Sequence, residues 1–324
     1  MGAARQGADV ETLLEAAGIE PALLACPGWR GPVEAMARLV REIWAALDDE
    51  GMGYLSAPVP RGSLAFACEL ALEGEMVATG LARAARFYNL LIPDIETVLE
   101  RGEEGLSVTV RFRRDDLDCH HYYSEFWTIT WHRLACWLAG ETIPMLLAEF
   151  DYRPGPEAAA EFRYMFPGHR IYGGTRRRIL IDRHVLHAPV RRGMSELRAM
   201  LAEAPLDLMT IPASDASAQI RARAVLLRDP SQPVEDLAAE LGLPVDSLRR
   251  RLRAEGQTLS TLRENVRRDK AVHWLVTSNR SVESIAFELG YSEARSFTRA
   301  FRQWTGTSPS AYRRAHVSAN AGLG

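Results

Sequence analysis

Six arginines near the C-terminal end stand where side chains could read or clamp a nucleic acid. Arg249, Arg250 and Arg253 lie in one stretch, and Arg295, Arg299 and Arg302 in another. A guanidinium fork matches guanine O6 and N7 with two hydrogen bonds, and its permanent charge matches a phosphate. Each stretch interleaves its arginines with apolar anchors at i,i+4 spacing, Leu248 and Leu252 in the first and Phe297 and Phe301 in the second. The anchors define the inward face of a helix. Val245, Asp246, Arg249, Arg250 and Arg253 are therefore expected to face outward in the first helix, and Ala294, Arg295, Thr298, Arg299 and Arg302 in the second. Three consecutive arginines, Arg249 to Arg251, cannot all point one way, so at least one is structural or phosphate-directed. Arg250 and Arg299 occupy equivalent positions and fit base contacts as well as salt bridges to the preceding helix.

What must position these side chains is written twice in the chain. Val234-Glu235-Asp236-Leu237-Ala238, Glu240-Leu241-Gly242-Leu243, Leu248, Arg250 and Leu252 recur as Val282-Glu283-Ser284-Ile285-Ala286, Glu288-Leu289-Gly290-Tyr291, Phe297, Arg299 and Phe301. Each copy reads as a short amphipathic helix, a glycine turn and a second amphipathic helix, the plan of a helix-turn-helix. Between them, Leu259 to Val276 reads as a linking helix of about 17 residues and about 25 Å. That is the scale needed to set two recognition helices about one duplex turn, roughly 34 Å, apart. The segment Trp304 to Arg314 fits a Gly306 helix stop followed by a Ser308 cap and Pro309 at a first helical position.

Charge agrees with this division. The net charge is -3, yet Ser214 to Arg314 holds 17 Arg and Lys against 12 Asp and Glu, so a basic tail joins an acidic body. Only Lys270 is a lysine. Cys26, Cys68, Cys119 and Cys136 are scattered, without metal-type pairing, as expected in a reducing compartment. The N-terminus lacks the basic-then-apolar layout of a signal peptide, and no apolar run is long enough for a bilayer. A cytoplasmic protein with no membrane partner is expected.

The first 209 residues predict an α+β domain. Val33 to Leu47, Leu64 to Leu72 and Thr79 to Leu91 read as helices, Leu106 to Phe112 as a strand, and Tyr122 to Leu138 as a central helix apolar almost all round. Met145 to Tyr152 reads as a strand and Pro156 to Phe166 as a helix. Arg170–Tyr172 and Arg178–Ile181 read as an antiparallel pair around Gly173-Gly174, and Glu196 to Leu208 as a closing helix. Met209 to Ser214 breaks the pattern with Pro, Thr and Ser. The expected division is an effector-binding and dimerising domain over 1–209, a linker over 210–216, a DNA-binding domain over 217–315 and a tail over 316–324.

Tyr122, Tyr123, Phe126, Trp127, Trp131 and Trp137 form an aromatic set that suits either a pocket for a small organic ligand or plain core. Tyr88 and His132 are further candidates. Cys119-His120-His121 stands beside this set, but adjacent residues rarely reach one ion, and no oxyanion loop, nucleophile turn or phosphate-cradling glycine motif accompanies it. No catalytic residue, metal or cofactor is expected. The alternative is an enzymatic or redox-sensing domain at Cys119–His121 fused to a DNA-binding tail.

Ile285-Ala286-Phe287-Glu288-Leu289-Gly290-Tyr291-Ser292, Phe297-Thr298-Arg299-Ala300-Phe301 and Gly306 to Arg313 resemble the AraC/XylS family of bacterial transcription regulators. The resemblance covers about 100 residues. It implies two all-helical units joined by a linker helix, with DNA contacts on the two helices named above. Ala294 departs from it, standing where many relatives carry a polar base reader. More diffusely, Pro32-Val33, Pro58 to Ser63, Arg86-Phe87-Tyr88 and Trp137 to Gly140 are similar to the arabinose-binding-type N-terminal domain of one subgroup. That implies an effector-binding domain without establishing a sugar ligand. The strand spacing argues against a simple all-β barrel. The resulting expectation is a ligand-responsive activator. Its partners would be double-stranded promoter DNA, a small-molecule effector, RNA polymerase and a second copy of the chain.

Overall fold

The computed structural model describes residues 2–26, 31–155, 158, 159, 162, 165–205, 218–254 and 257–317. The chain forms two compact units, residues 1–17 with 33–212 and residues 18–32 with 213–324. Among the described residues no helix is long and apolar enough to cross a membrane.

The first unit contains α1 (Gly2–Arg5), α2 (Val10–Ala16), α3 (Val33–Leu47), α4 (Ser63–Leu72), α5 (Val77–Leu91), β1 (Ile95–Arg101), β2 (Gly105–Phe112), α6 (Tyr122–Ala139), β3 (Met145–Phe150), β4 (His169–Tyr172), β5 (Arg177–Asp182) and α7 (Met194–Glu203). The strands make one sheet in the order β1-β2-β5-β3-β4, antiparallel except where β3 meets β4. Period-two alternation puts Leu106, Val108 and Val110 of β2 in register with Ile181, Ile179 and Arg177 of β5. All but the arginine join the same apolar core as Tyr123, Trp127, Trp131, Leu134 and Leu138 of α6. The all-round apolar sequence of α6 is thus explained by burial, with helices on one side and sheet on the other. Its first turn is tied by Asp118, whose carboxylate accepts the N–H groups of Tyr123 (3.0 Å) and Ser124 (2.8 Å).

Two expectations for this unit are corrected. β4 and β5 do not pair with each other; they flank β3, β4 parallel to it and β5 antiparallel. The glycine pair that imitates a hairpin turn bonds to the end of β3 instead. Gly173 N–H donates to the Tyr152 carbonyl (3.0 Å) and Gly174 N–H to that of Phe150 (2.8 Å). β1, whose charged Glu96, Glu100 and Arg101 masked its alternation, is an edge strand absent from the sequence reading. The helix expected over 156–166 falls largely outside the described residues, as does the expected linker over Met209–Ser214.

The second unit is helical: α8 (Ala218–Arg228), α9 (Val234–Glu240), α10 (Val245–Ala254), α11 (Leu259–Thr277), α12 (Val282–Glu288), α13 (Ala294–Thr305) and α14 (Pro309–Val317). An N-terminal segment joins it. In and just after the 3₁₀ turn Pro21–Ala25, Leu23 and Cys26 are buried in one cluster with Leu275, Phe301 and Tyr312. Residues 18–32, part of the expected 1–209 domain, group with the second, helical unit. A lone apolar pair in a short turn carries no periodicity from which that could be read. Leu23→Ala should lower the unfolding free energy of the second unit by about 2–5 kcal/mol. Leu24→Ala next to it, removing a side chain that is 51% exposed, should change it little. Urea unfolding of the full chain, followed by dichroism, checks both.

Candidate nucleic-acid interface and apolar cavity

Both repeats fold their turn with the same three backbone bonds. After α9, Leu241 N–H donates to Leu237 (3.1 Å), Gly242 to Ala239 (3.0 Å) and Leu243 to Ala238 (2.9 Å). After α12, Leu289 donates to Ile285 (3.1 Å), Gly290 to Phe287 (2.9 Å) and Tyr291 to Ala286 (3.0 Å). Gly242 and Gly290 sit at φ +67° and +80°, a left-handed conformation that glycine adopts without a Cβ penalty. At Gly290 a Cβ would also lie 2.7 Å from that of Ser231.

The turns deliver α10 and α13 across their partners. Leu248 and Leu252 are buried with Leu237 and Ala238; Phe297 and Phe301 are buried with Ile285 and Ala286. This leaves Arg249, Arg250, Arg253, Arg295, Arg299 and Arg302 exposed. Arg249 comes within 4.0 Å of Asp246, whose side chain is almost wholly in solvent. Arg250, Arg253, Arg295, Arg299 and Arg302 have no ion-pair partner among the described residues, and none of them is held by another contact. Some arginines elsewhere in the unit are neutralised: Arg223 and Arg268 by Asp269 (2.7 and 3.0 Å), Arg280 by Glu288 (2.7 Å). The salt-bridge alternative for Arg250 and Arg299 thus finds no carboxylate among the described residues.

Three expected outward residues are placed differently. Val245 and Ala294, each the first residue of its helix, pack half-buried against their own cores. Thr298 is half-buried and its hydroxyl donates back to the Ala294 carbonyl (2.9 Å), a bond internal to the helix. Beside α10 lies a groove that the repeat pattern could not show, lined by Arg249, Arg253, Arg263 and Arg267 with Thr258, Ser260 and one carboxylate, Glu264. The buried Nε atoms of Arg263 and Arg267 have no acceptor among the described residues. Burial and the neighbouring Arg267 pull the Arg263 pKa down, and the groove sets four arginines against the single carboxylate of Glu264.

In the first unit, Tyr88, Tyr123, Phe126, Trp127 and Trp131 line one cavity together. The rings meet edge to face, Tyr88 on Trp127 at 4.8 Å and Trp127 on Trp131 at 6.2 Å between centroids. Tyr122 does not line it; its ring lies against Tyr54 at 5.7 Å. His132 is also elsewhere, its Nε2–H donating to the Ile143 carbonyl (2.8 Å), and burial pulls its pKa down to about 4, so it stays neutral. Trp44, Glu50, Leu64, Cys68 and Leu134 complete the walls. Trp44 and Glu50 come from α3 and the loop after it, about 80 residues upstream of the aromatic helix, and only the fold joins them.

Cys119 and His120 are exposed, and among the described residues no group of three or more His, Cys, Asp or Glu side chains is arranged to hold a metal ion. His121 stacks on Tyr152 at 3.7 Å, with Arg177 Nη2 3.5 Å from its Nδ1. The Tyr152 hydroxyl donates to Glu125. Burial pushes the Glu125 carboxyl up to about 7, and Asp118 adds to this, against the hydrogen bond from Tyr152 and the charge of Arg177.

The chain matches known proteins at both ends. Residues 7–190 match the arabinose-binding domain of AraC transcription regulators, N-terminal, and residues 220–315 match a helix-turn-helix domain. Over 330 residues the chain is 26% identical to the ornithine utilization regulator of Pseudomonas aeruginosa, covering 96% of this chain and 93% of that protein. It is 42% identical over 67 residues to the transcriptional regulator VqsM of the same organism, 21% of each chain. The crystal structure of the transcriptional regulator CdpR from P. aeruginosa aligns with 94% of this chain and 96% of that one, at 23% identity and a TM-score of 0.33.

The Glu125 site has a pH signature. An acid whose folded pKa is raised binds its proton more tightly in the folded state. Its stabilising contribution is whole below the ordinary value of 4.5 and falls as pH rises through about 7. Melting temperatures of the full chain measured from pH 4 to 8 should therefore decline with pH more steeply for the native protein than for Glu125→Gln. Parallel profiles would show that Glu125 titrates normally.

Proposed function

The chain belongs to the AraC family of transcription regulators, and from that premise we propose that it is a ligand-responsive activator reading promoter DNA with α10 and α13. That it is a DNA-binding helix-turn-helix regulator with an effector-binding N-terminal domain follows from the family. The finer reading rests on one observation: on two equivalent helices, all six arginines stand exposed and five of them have no ion-pair partner among the described residues, as groups awaiting a base edge or a phosphate do. Arg249, Arg250 and Arg253, and Arg295, Arg299 and Arg302, take those roles in two successive major-groove segments, with Asp246 at the mouth of the first. Val245, Ala294 and Thr298 shape each helix start and contribute contact rather than readout. The arginine-lined groove beside α11 takes the phosphate backbone between the two insertions.

The same reading puts the effector in the aromatic cavity, with Tyr88, Tyr123, Phe126, Trp127 and Trp131 around it and Tyr122 behind. Residues 1–209 other than 18–32 form the effector and dimerisation domain, 210–216 the linker, 217–315 with 18–32 the DNA-binding domain, and 316–324 a tail. It acts in the cytoplasm as a homodimer, engages RNA polymerase from the promoter and performs no catalysis.

Arg249→Ala and Arg295→Ala should each weaken operator binding by about 1–3 kcal/mol and relax preference at different half-sites. A uniform loss on every sequence would restrict them to phosphate. Arg263→Ala and Arg267→Ala should do the opposite, lowering affinity on all sequences alike. Each should also reduce the slope of log affinity against log salt by about 1. Binding titrations at several salt concentrations separate the two sets.

A further inference from the structure

We propose that the cavity of the first unit binds an organic cation, its ammonium group held against Glu50 within aromatic walls of Trp44, Tyr88, Tyr123, Trp127 and Trp131. This rests on the reading of the cavity as the effector site and adds the chemical class of the ligand.

The lining itself selects for charge. Glu50 carries its one carboxyl among the described residues: burial holds the Cys68 thiol up at about 12 and drives both tyrosine hydroxyls further into their neutral form. Among the described residues no basic side chain lines the cavity; Arg41 and Arg61 stand on the adjoining opening that shares Trp44, Glu50 and Leu64. The two Glu50 oxygens accept one backbone bond each, from Gly62 N–H (2.6 Å) and Leu64 N–H (2.8 Å), at the start of α4. A carboxylate offers about four acceptor sites, so half its capacity remains. A carboxylate that only capped a helix would have its pKa lowered. Here burial outweighs both bonds and the nearby Arg61, and adjacent Asp49 adds repulsion, so the net shift is upward. The charge is underpaired where it stands, the condition a bound cation relieves.

The walls suit the same ligand. Trp127 Nε1–H donates to Thr97 Oγ1 (3.0 Å) and Trp44 Nε1–H to the Glu50 carbonyl (3.1 Å). Both indoles therefore keep their polar edges engaged and offer the cavity ring surface, which attracts cations through its quadrupole. Thr130 is also engaged, donating to the Phe126 carbonyl (2.7 Å). Tyr88 and Tyr123 line the cavity with hydroxyls that have no hydrogen-bond partner among the described residues, leaving acceptors for ammonium N–H groups.

Other ligand classes fit poorly. An anion would be repelled by Glu50, and the nearby Arg61 lies outside the lining. A sugar would find too few polar partners for its hydroxyls, and a neutral arene would leave Glu50 as it was. The cavity with its mouth holds about 620 Å³, room for a compact headgroup.

The test uses the purified full-length chain and matched pairs of probes: choline with its neutral isostere 3,3-dimethylbutan-1-ol, tetramethylammonium with neopentane-like alcohols, and n-butylammonium with n-butanol. Tryptophan fluorescence and calorimetry should give saturable binding of at least one cation, about tenfold or more tighter than its isostere. Glu50→Gln should abolish that preference while isostere binding stays as it was. Because Glu50 also caps α4, Trp131→Phe is the second variant, expected to weaken the cation several-fold with the helix start untouched. Equal binding of cation and isostere, or no binding of any cation to folded protein, overturns the inference. Operator affinity measured with the bound cation is a separate readout. A cation that binds through Glu50 without changing operator affinity would leave the inference standing and remove the effector reading.

Discussion

Helix α11 has to complete two hydrophobic cores at once, and the DNA-binding unit depends on that double duty. Its first half gives Leu262 and Val266 to the core of the first repeat, and its second half gives Ala271, Val272 and Leu275 to that of the second. A helix is rigid over this length, so the two repeats inherit a fixed spacing and a fixed rotation about its axis. Between the two apolar stretches sits Asp269, 4% exposed, holding Arg223 of α8 and its own neighbour Arg268. A buried carboxylate with two guanidinium partners is costly to break, because either partner lost leaves charge without compensation. The ion cluster therefore fixes α8 on α11, while Arg267, stacked over Tyr291 at 5.1 Å, ties α11 to the second turn.

The first unit packs its sheet on one apolar core and leaves an opening among its helices, on the α3, α4, α5 and α6 side. α6 supplies three of the cavity's aromatic walls at i,i+4 spacing, Tyr123, Trp127 and Trp131. The far wall comes from the loop following α3, and buried carboxylate bonds shape that loop. Asp49 accepts the N–H groups of Gly51 (2.7 Å), Gly53 (2.8 Å) and Val59 (2.6 Å), folding the loop back on itself. Glu50, one residue on, is thereby aimed the other way, toward α4 and the aromatics. Adjacent acids with opposite duties make the loop both a structural knot and a cavity wall.

How much of this was legible beforehand follows from the range of the interactions. The helix pairs, the glycine turns and the inward anchors Leu248, Leu252, Phe297 and Phe301 are set by local periodicity, and they stand where the repeat put them. The Arg250 and Arg299 ambiguity could be resolved only by locating nearby carboxylates. Val245, Ala294 and Thr298 were misjudged because a wheel drawn from anchors ignores how a helix start folds back on its turn. The aromatic helix was legible as buried. Its pocket was half legible, since Trp44 and Glu50 reach it through the tertiary fold alone. The β4–β5 pairing failed because Gly-Gly signals a turn without saying which strand the turn will bond to.

Residues 18–26 show most clearly why the DNA-binding unit cannot be read as a contiguous tail. The second repeat presents its core to α11 on one side, and on another the ring of Tyr312 meets Phe301 edge to face at 5.4 Å. Leu23, 1% exposed, and Cys26, 5% exposed, close this cluster from a segment almost three hundred residues away in sequence. The Cys26 thiol and the Tyr312 hydroxyl share a hydrogen bond, and burial pushes both pKa values up. A neutral thiol in an apolar seat is a small hydrophobe and a poor nucleophile, so its part here is packing. The recognition helix α13 therefore rests on a core to which the first residues of the chain contribute. Any change that withdraws them uncovers Phe301 and Tyr312 before it touches an arginine.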